Sequence, residues 1–341
     1  MHRQAVESWP AAADRWCLAV DIGATKLAVG LVSGSGAVRA AERVPTPHGP
    51  AGDPEPGLRA LFGAVDQVCR VARTEGLTVL ACGVGSGGPM DAERRISPLH
   101  IPGWRDLPIG PLLAERTGLA TFVDNDAKAL VLGEWWWGAG RGYRNLLGMV
   151  VSSGIGAGLV VDGRLLDGAS GNAGHLGHLV VVPDGRPCAC GNRGCVEAET
   201  SGLAIAAWTG RPPAEASPAV RRRAGALVGQ AVASAVVLLD LSLAVVGGSV
   251  ALGYGSAFFE AANAALARHA PIGYARAARI VPVAQGPDAP LAGAGAVGWR
   301  GLLGVEEPPP VLERRAGSDG QDPSDQGESS ARGGPTARPP Q

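Results

Sequence analysis

Residues 16–32 read WCLAVDIGATKLAVGLV. Trp16 to Asp21 is an apolar run of strand length, Gly23 supplies a turn, and Leu27 to Val32 is a second apolar run, so the segment predicts a buried β-hairpin. A similar pattern returns later: a strand from Leu146 to Ser153, a glycine turn from Gly154 to Gly158, a returning strand from Leu159 to Asp162 and a tight turn at Gly163. DIGATK (21–26) and SGIGAG (153–158) thus hold matching places in two similar halves.

Outward from the first hairpin, Gly34 to Gly36 forms a turn and Ala37 to Val44 alternates as a third strand. Leu58, Leu61, Phe62, Val65, Val68, Cys69 and Ala72 then recur at helical spacing up to Gly76, and Leu77 to Val84 is another buried strand. Thr121 to Val123 is a short strand that runs into Asp124-Asn125-Asp126 and a helix through Glu134. In the second half, helices over 220–240 and 256–269 flank strands over 243–246 and 279–283. Strands alternating with helices in this way specify two α/β lobes facing each other across a cleft.

The 341 residues are enough for two lobes with proper cores, and 46% hydrophobic with 18% charged residues describes a soluble globular protein. A net charge of −1 implies no broad basic surface for nucleic acid or anionic membrane. No signal peptide is expected, and no stretch is expected to reach membrane-spanning length. Scattered cysteines and a thiolate site suit a reducing cytoplasm. From Glu306 the chain turns to Pro, Gly, Ser, Asp and Arg and cannot bury enough apolar surface to order, so 306–341 is expected to be disordered, and 1–15 flexible.

Glycine turns between strands expose backbone N–H groups that suit phosphate oxygens. The loops at 21–26 and 153–158 together favour a nucleotide gripped between the lobes. Lys26 adds positive charge, and Asp21 at a strand end is placed to hold hydrated magnesium. Neither loop has Walker or dinucleotide spacing. Gly247 and Gly248 follow a strand and precede a helical segment, which suits either adenosine and its α-phosphate or a plain βα turn. Asp124-Asn125-Asp126 exceeds what a helix cap needs. Phosphoryl transfer requires a carboxylate to deprotonate the attacking hydroxyl, so Asp126 is the candidate base and Asn125 the group that positions a neighbouring hydroxyl.

Residues 172–199, NAGHLGHLVVVPDGRPCACGNRGCVEAE, place Cys188, Cys190 and Cys195 in one glycine-rich loop, with His178 upstream. Three thiolates and an imidazole close a tetrahedral zinc shell, which implies a structural metal. Small buried cysteines are the plainer alternative, but Gly191 and Gly194 provide the turns that make ligands converge. His175 and Glu197 are polar groups that such a metal would hold in place.

In this order, DIGATK (21–26), GPMD (88–91), PGW (102–104), DNDAKALVLGE (124–134), SSGIGAG (152–158), AGHLGHLVVVPDGRPCACGNRGCVE (173–197) and VVGGSVA (245–251) resemble the ROK family of bacterial sugar kinases, repressors and related proteins. The resemblance implies an actin-like, ribonuclease-H-type fold, with an N-terminal lobe over 16–135 and a C-terminal lobe over 136–305 whose last helix packs back on the first lobe. It further implies transfer of the ATP γ-phosphate, with magnesium, to the 6-hydroxyl of a hexose or N-acyl hexosamine. Asp126 matches the general base, and Asn125, His178 and Glu197 match sugar contacts. His178, Cys188, Cys190 and Cys195 match the zinc ligands. Asp21, Gly23, Thr25 and the loop at Ser153, Gly154 and Gly156 match phosphate contacts. The resemblance further implies a homo-oligomer, since such relatives are often dimers or tetramers.

Four positions depart from the pattern. Ala24 stands for a glycine, Ser153 for Thr, Lys128 for a frequent Asn, and His175 for the Glu of glucokinase-like members. A neutral imidazole offers one bond per ring nitrogen, so the fit to glucose is altered, and the H-x-G-H of some N-acetylmannosamine kinases makes that sugar a rival. The competing possibility is a sugar-sensing transcriptional regulator. Such repressors carry an N-terminal winged helix-turn-helix, whereas only twenty residues precede Asp21.

Overall fold

A computed structural model describes residues 15–49 and 52–305. The segments expected to be loose, 1–15 and 306–341, lie outside the described residues except for Arg15, which opens the first strand.

The first hairpin is β1 (Arg15–Ile22) and β2 (Lys26–Ser33), extended by antiparallel β3 (Val38–Pro45). On the other side of β1 lie parallel β4 (Thr78–Ser86) and β5 (Thr121–Asn125), giving the order β3-β2-β1-β4-β5. The second half repeats this arrangement. β6 (Leu146–Val151), β7 (Ile155–Val161) and β8 (Arg164–Leu165) form the meander, and β9 (Leu243–Gly247) and β10 (Arg279–Pro282) add in parallel, in the order β10-β9-β6-β7-β8. The two sheets therefore share one topology.

The helices are α1 (Glu55–Thr74), α2 (Ile109–Thr117), α3 (Asp126–Trp137), α4 (Val196–Thr200), α5 (Gly202–Thr209), α6 (Pro218–Leu239), α7 (Ser249–Tyr254), α8 (Ser256–His269) and α9 (Ala289–Leu303). β1 and β2 are apolar on both faces because both faces are covered. Leu18, Val20 and Val29 pack with Leu61 and Val65 of α1, while Ala19, Ala28 and Val32 pack with Leu291 and Ala294 of α9. Close approach of α9 requires small residues: a Cβ on Gly83 would lie 1.9 Å from the Ala294 carbonyl oxygen, and one on Gly298 would lie 2.2 Å from Cys17 Sγ. The last helix thus packs on the first sheet.

One expectation is corrected by the same logic. The second glycine turn is shorter than its run of glycines suggests: β7 begins at Ile155, and Gly156 and Gly158 lie inside the strand. These glycines face α3, because a Cβ on Gly158 would lie 2.7 Å from Lys128 Cα and one on Gly156 would lie 3.1 Å from Ala127 Cβ; Gly148 of β6 does the same, 2.4 Å from Val131 Cβ. α3 consequently rests directly on β6 and β7. A second correction concerns α6, whose 22 residues are long and apolar enough to cross a membrane by length and composition. It packs on α8 through Gly225 and Gly229, whose added Cβ atoms would lie 2.2 and 2.1 Å from the Phe258 and Ala262 carbonyl oxygens. Its Val228 and Val232 are fully buried in the second core, each burial contributing roughly 1.5–3 kcal/mol.

Candidate functional site

The two hairpin turns meet at a cleft of about 520 Å3. In the first turn, Gly23 N–H donates to the Lys26 carbonyl (3.1 Å), and Thr46 Oγ1 donates to the Gly23 carbonyl (2.8 Å). A side chain at Gly23 would press on the Lys26 carbonyl at 2.8 Å, so only a bare backbone closes this turn. In the second turn, Ser152 N–H donates to the Gly154 carbonyl (3.0 Å), and Gly202 N–H donates to the Ser152 carbonyl (2.7 Å). Thr25 Oγ1 and Ser153 Oγ are 3.4 Å apart across the cleft. Asp21, Gly23, Thr25, Lys26, Ser153, Gly154 and Gly156 all line the cavity. Of the later glycine pair only Gly248 does; Gly247 is the last residue of β9, packed against Val283 and Leu130. α7 after it has only six residues.

Asp126 stands at the first turn of α3, on the cavity floor. Its carboxylate sits between two glycines: a Cβ on Gly87 would lie 3.3 Å from Oδ2, and one on Gly156 would lie 3.5 Å from Oδ1. Oδ1 accepts the Ala127 N–H at 2.8 Å. Burial, followed by the nearby Glu197 charge, pushes its carboxyl up to about 6 against the pull of that N–H. Asp21 goes further, to about 7, because burial and the Asp126 charge outweigh Lys26 and Arg43. Two carboxylates with raised proton affinity at a phosphate-sized gap suit a proton acceptor and a cation site. Asn125, expected to position a substrate hydroxyl, spends its Oδ1 as the α3 cap, accepting from Ala127 N–H (3.0 Å) and Lys128 N–H (3.4 Å). Its amide nitrogen makes only long contacts with the Ser86 and Gly88 carbonyls, at 3.5 and 3.4 Å, and it lines the cavity.

His178, which lines the cavity, and Cys188, Cys190 and Cys195, which do not, bring their ligand atoms within 4.8 Å of one another. Cys188 Sγ lies 3.6 Å from His178 Nδ1, and Cys190 Sγ lies 3.7 Å from Cys195 Sγ. Tetrahedral zinc with bonds of about 2.0–2.3 Å has edges of roughly 3.5–3.8 Å, so this donor set fits the metal. Burial and the adjacent Cys190 and Cys188 sulfurs push the Cys195 thiol up to about 12. The loop is drawn in by Gly194 at φ +71°, where a Cβ would meet the Val182 carbonyl oxygen at 1.7 Å.

The cluster is joined to the cleft at two points. α4 starts immediately after Cys195 and carries buried Glu197, whose Oε2 accepts the Ile155 N–H at 2.8 Å. The His178 ring, whose Nδ1 faces Cys188, stacks on His175 with centroids 6.1 Å apart, and both rings line the cavity. The neighbouring Glu199 is buried and paired with Arg186 and Arg223, which anchors the far end of α4.

Two residues of the site were not singled out as site residues from the sequence. His100 also lines the cavity, and its buried Nε2 has no hydrogen-bond partner and lies 4.0 Å from Glu197 Oε1. Nothing in its local sequence marks it as facing the cleft. Lys128, noted only as a departure, is completely buried and paired with Asp124 at 3.0 Å and with Asp167.

The ROK family model matches residues 17–298 of this chain. The chain belongs to the ROK family. Among curated ROK relatives, the glucokinase of Thermotoga maritima is 39% identical over 196 residues, 55% of this chain and 58% of that enzyme. The N-acetylmannosamine kinase of Yersinia pestis is 32% identical over 253 residues, 70% of this chain and 84% of that enzyme. The match thus spans under two thirds of the glucokinase and most of the N-acetylmannosamine kinase. Among solved structures, the ROK glucokinase of Streptomyces griseus in complex with glucose and AMPPNP superimposes with a TM-score of 0.71 at 28% identity, covering 84% of this chain and 99% of that one. The ROK hexokinase of Thermus thermophilus gives 0.67 at 33% identity, covering 85% and 100%. The fold is the two-lobed actin-like fold of ROK sugar kinases, with a possible zinc site in its second half.

Proposed function

We propose that this protein is an ATP-dependent sugar kinase that phosphorylates the 6-hydroxyl of a hexose or N-acyl hexosamine, glucose and N-acetylmannosamine being the leading acceptors. The observation that carries this is the Asp126 carboxylate, raised in proton affinity and held bare between Gly87 and Gly156 in a cleft flanked by two glycine hairpins.

The sugar lies against His175, His178 and Glu197 with its 6-hydroxyl toward Asp126. Asp126 accepts the hydroxyl proton as the new oxygen–phosphorus bond forms and the bond from the γ-phosphorus to the β-phosphate oxygen breaks. The turn residues Ala24 and Thr25 and, opposite them, Ser153 and Gly154 face the phosphates with N–H groups and hydroxyls, since the Gly23 and Ile155 N–H groups are already taken by the Lys26 carbonyl and Glu197. Asp21 would hold the magnesium that accompanies the nucleotide, which would supply charge neutralisation. His178, Cys188, Cys190 and Cys195 would hold a structural zinc, and through that ligand set the His178 ring and the start of α4, with its Glu197 carboxylate, would be fixed. His175, where glucokinase-like sequences carry Glu, offers a neutral donor or acceptor, which burial favours by lowering its proton affinity together with the His178 neighbour. The similarity to the Thermotoga and Yersinia kinases supports both acceptors.

Phosphorus NMR of a reaction with magnesium-ATP and either sugar tests the assignment. A phosphate ester coupled to the two C6 protons is expected; unchanged sugar together with unchanged ATP overturns it.

A further inference from the structure

Lys128 lies two residues beyond Asp126, in the first turn of α3, where the positive end of the helix dipole disfavours a cation. Its side chain is nonetheless fully buried, so its charge is held by partners. Nζ lies 3.0 Å from Asp124 Oδ1 at the end of β5, bonds to the Asp167 carboxylate and reaches the Gly171 carbonyl at 3.3 Å. Asp124 is itself buried, and its carboxylate also faces Arg94 at 3.3 Å and Arg300 at 3.9 Å. Asp167 and Gly171 belong to the segment that leaves β8 and delivers His175 to the cleft.

The same Asp167 carboxylate also faces Arg300 of α9 at 3.9 Å. Asn172 Oδ1 accepts the Met90 N–H at 3.0 Å, and its amide donates to the Met90 carbonyl at 2.9 Å. Gly174, at φ +101°, presses on the Ala157 carbonyl. Between β8 and His175, the Lys128 ammonium is therefore the charged tie from this segment to the helix that bears Asp126.

We propose that Lys128 is a positioning residue: through Asp167 and Gly171 it holds the 166–175 segment in register with Asp126, so that His175 meets the sugar. This rests on the sugar-kinase function above. A positioning tie of this kind acts on sugar binding and leaves the proton transfer at Asp126 intact.

Asp167 is partly exposed, and Asp167→Asn takes the carboxylate out of the tie while the buried Lys128 ammonium keeps its Asp124 partner. Backbone hydrogen exchange in the full-length protein reads the segment without any activity. Exchange over 166–175 is expected to quicken about tenfold in Asp167→Asn, with α3 unchanged. In the same variant the sugar KM is expected to rise about tenfold while kcat stays within about twofold, and adding Lys128→Met is expected to give little further rise in KM. Unchanged exchange over 166–175 overturns the tie whatever the reaction proves to be. Faster exchange with an unchanged sugar KM, or a fall in kcat at constant KM, overturns the positioning role. Faster exchange in a protein that phosphorylates no sugar leaves the tie standing and removes the kinase function instead.

Discussion

Thr25 and Ser153 bring their hydroxyl oxygens to 3.4 Å although 128 residues separate them. Each belongs to the turn of an N-terminal hairpin in one of two sheets with the same strand order, so the repeat in the chain becomes a facing pair of phosphate-sized loops. Asp126 lies on the floor beneath them, and the zinc-ligand cluster reaches the same cavity through His178.

Replacing Asp126 with Asn keeps the shape of the first turn of α3 and removes the proton acceptor. The variant is expected to bind sugar with near-normal affinity and to lose about 10²–10⁴-fold in kcat, measured by calorimetric titration and steady-state assay. Activity within a few-fold of the parent would take Asp126 out of this role.

The pH profile carries a sign. Asp126 acts as a base, and its carboxyl is raised to about 6, so the active, deprotonated form is lost as pH falls through that value. Asp21, raised to about 7, must also be ionised to hold magnesium. Log kcat/KM for sugar is therefore expected to be flat above about 7, to fall below it, and to steepen beyond unit slope below about 6. A profile flat down to pH 4.5 would mean that burial raises neither carboxyl.

Cys190 is exposed, so Cys190→Ser leaves the core intact while replacing one thiolate donor. Zinc measured by elemental analysis is expected to fall from one equivalent per chain, and sugar affinity to weaken about tenfold because His178 and Glu197 lose their support. Full zinc content in this variant would contradict the ligand set.

At Gly174, φ is +101° and a Cβ would lie 2.3 Å from the Ala157 carbonyl oxygen. Gly174→Ala is expected to destabilise the protein by roughly 1–3 kcal/mol, read as a Tm lower by several degrees. An unshifted melting curve would show that the backbone here relaxes freely.

Much of this was legible in the chain because it is written locally. A strand pair with glycine at its turn is a short-range pattern, and three cysteines within eight residues, with His178 upstream, mark a candidate metal site whose ligand atoms the fold brings together. Residues whose meaning depends on distant partners were not legible. Gly156 and Gly158 look like turn residues until α3 is seen lying on them. Lys128 looks like a chance substitution because Asp167, its partner, is 39 residues away. His100 faces Glu197 across 97 residues, with no periodicity to mark it. Asn125 satisfies two patterns, helix cap and site residue, and the sequence alone does not say that the cap takes its oxygen.

The most direct test of the central claim is a coupled ADP-release assay with magnesium-ATP and a panel of glucose, mannose, fructose, N-acetylglucosamine and N-acetylmannosamine, run beside Asp126→Asn. Sugar-dependent ADP release is expected with glucose or N-acetylmannosamine and is expected to collapse in the variant. No sugar-dependent release from zinc-loaded protein across the whole panel would contradict the account and point to a sugar-sensing role.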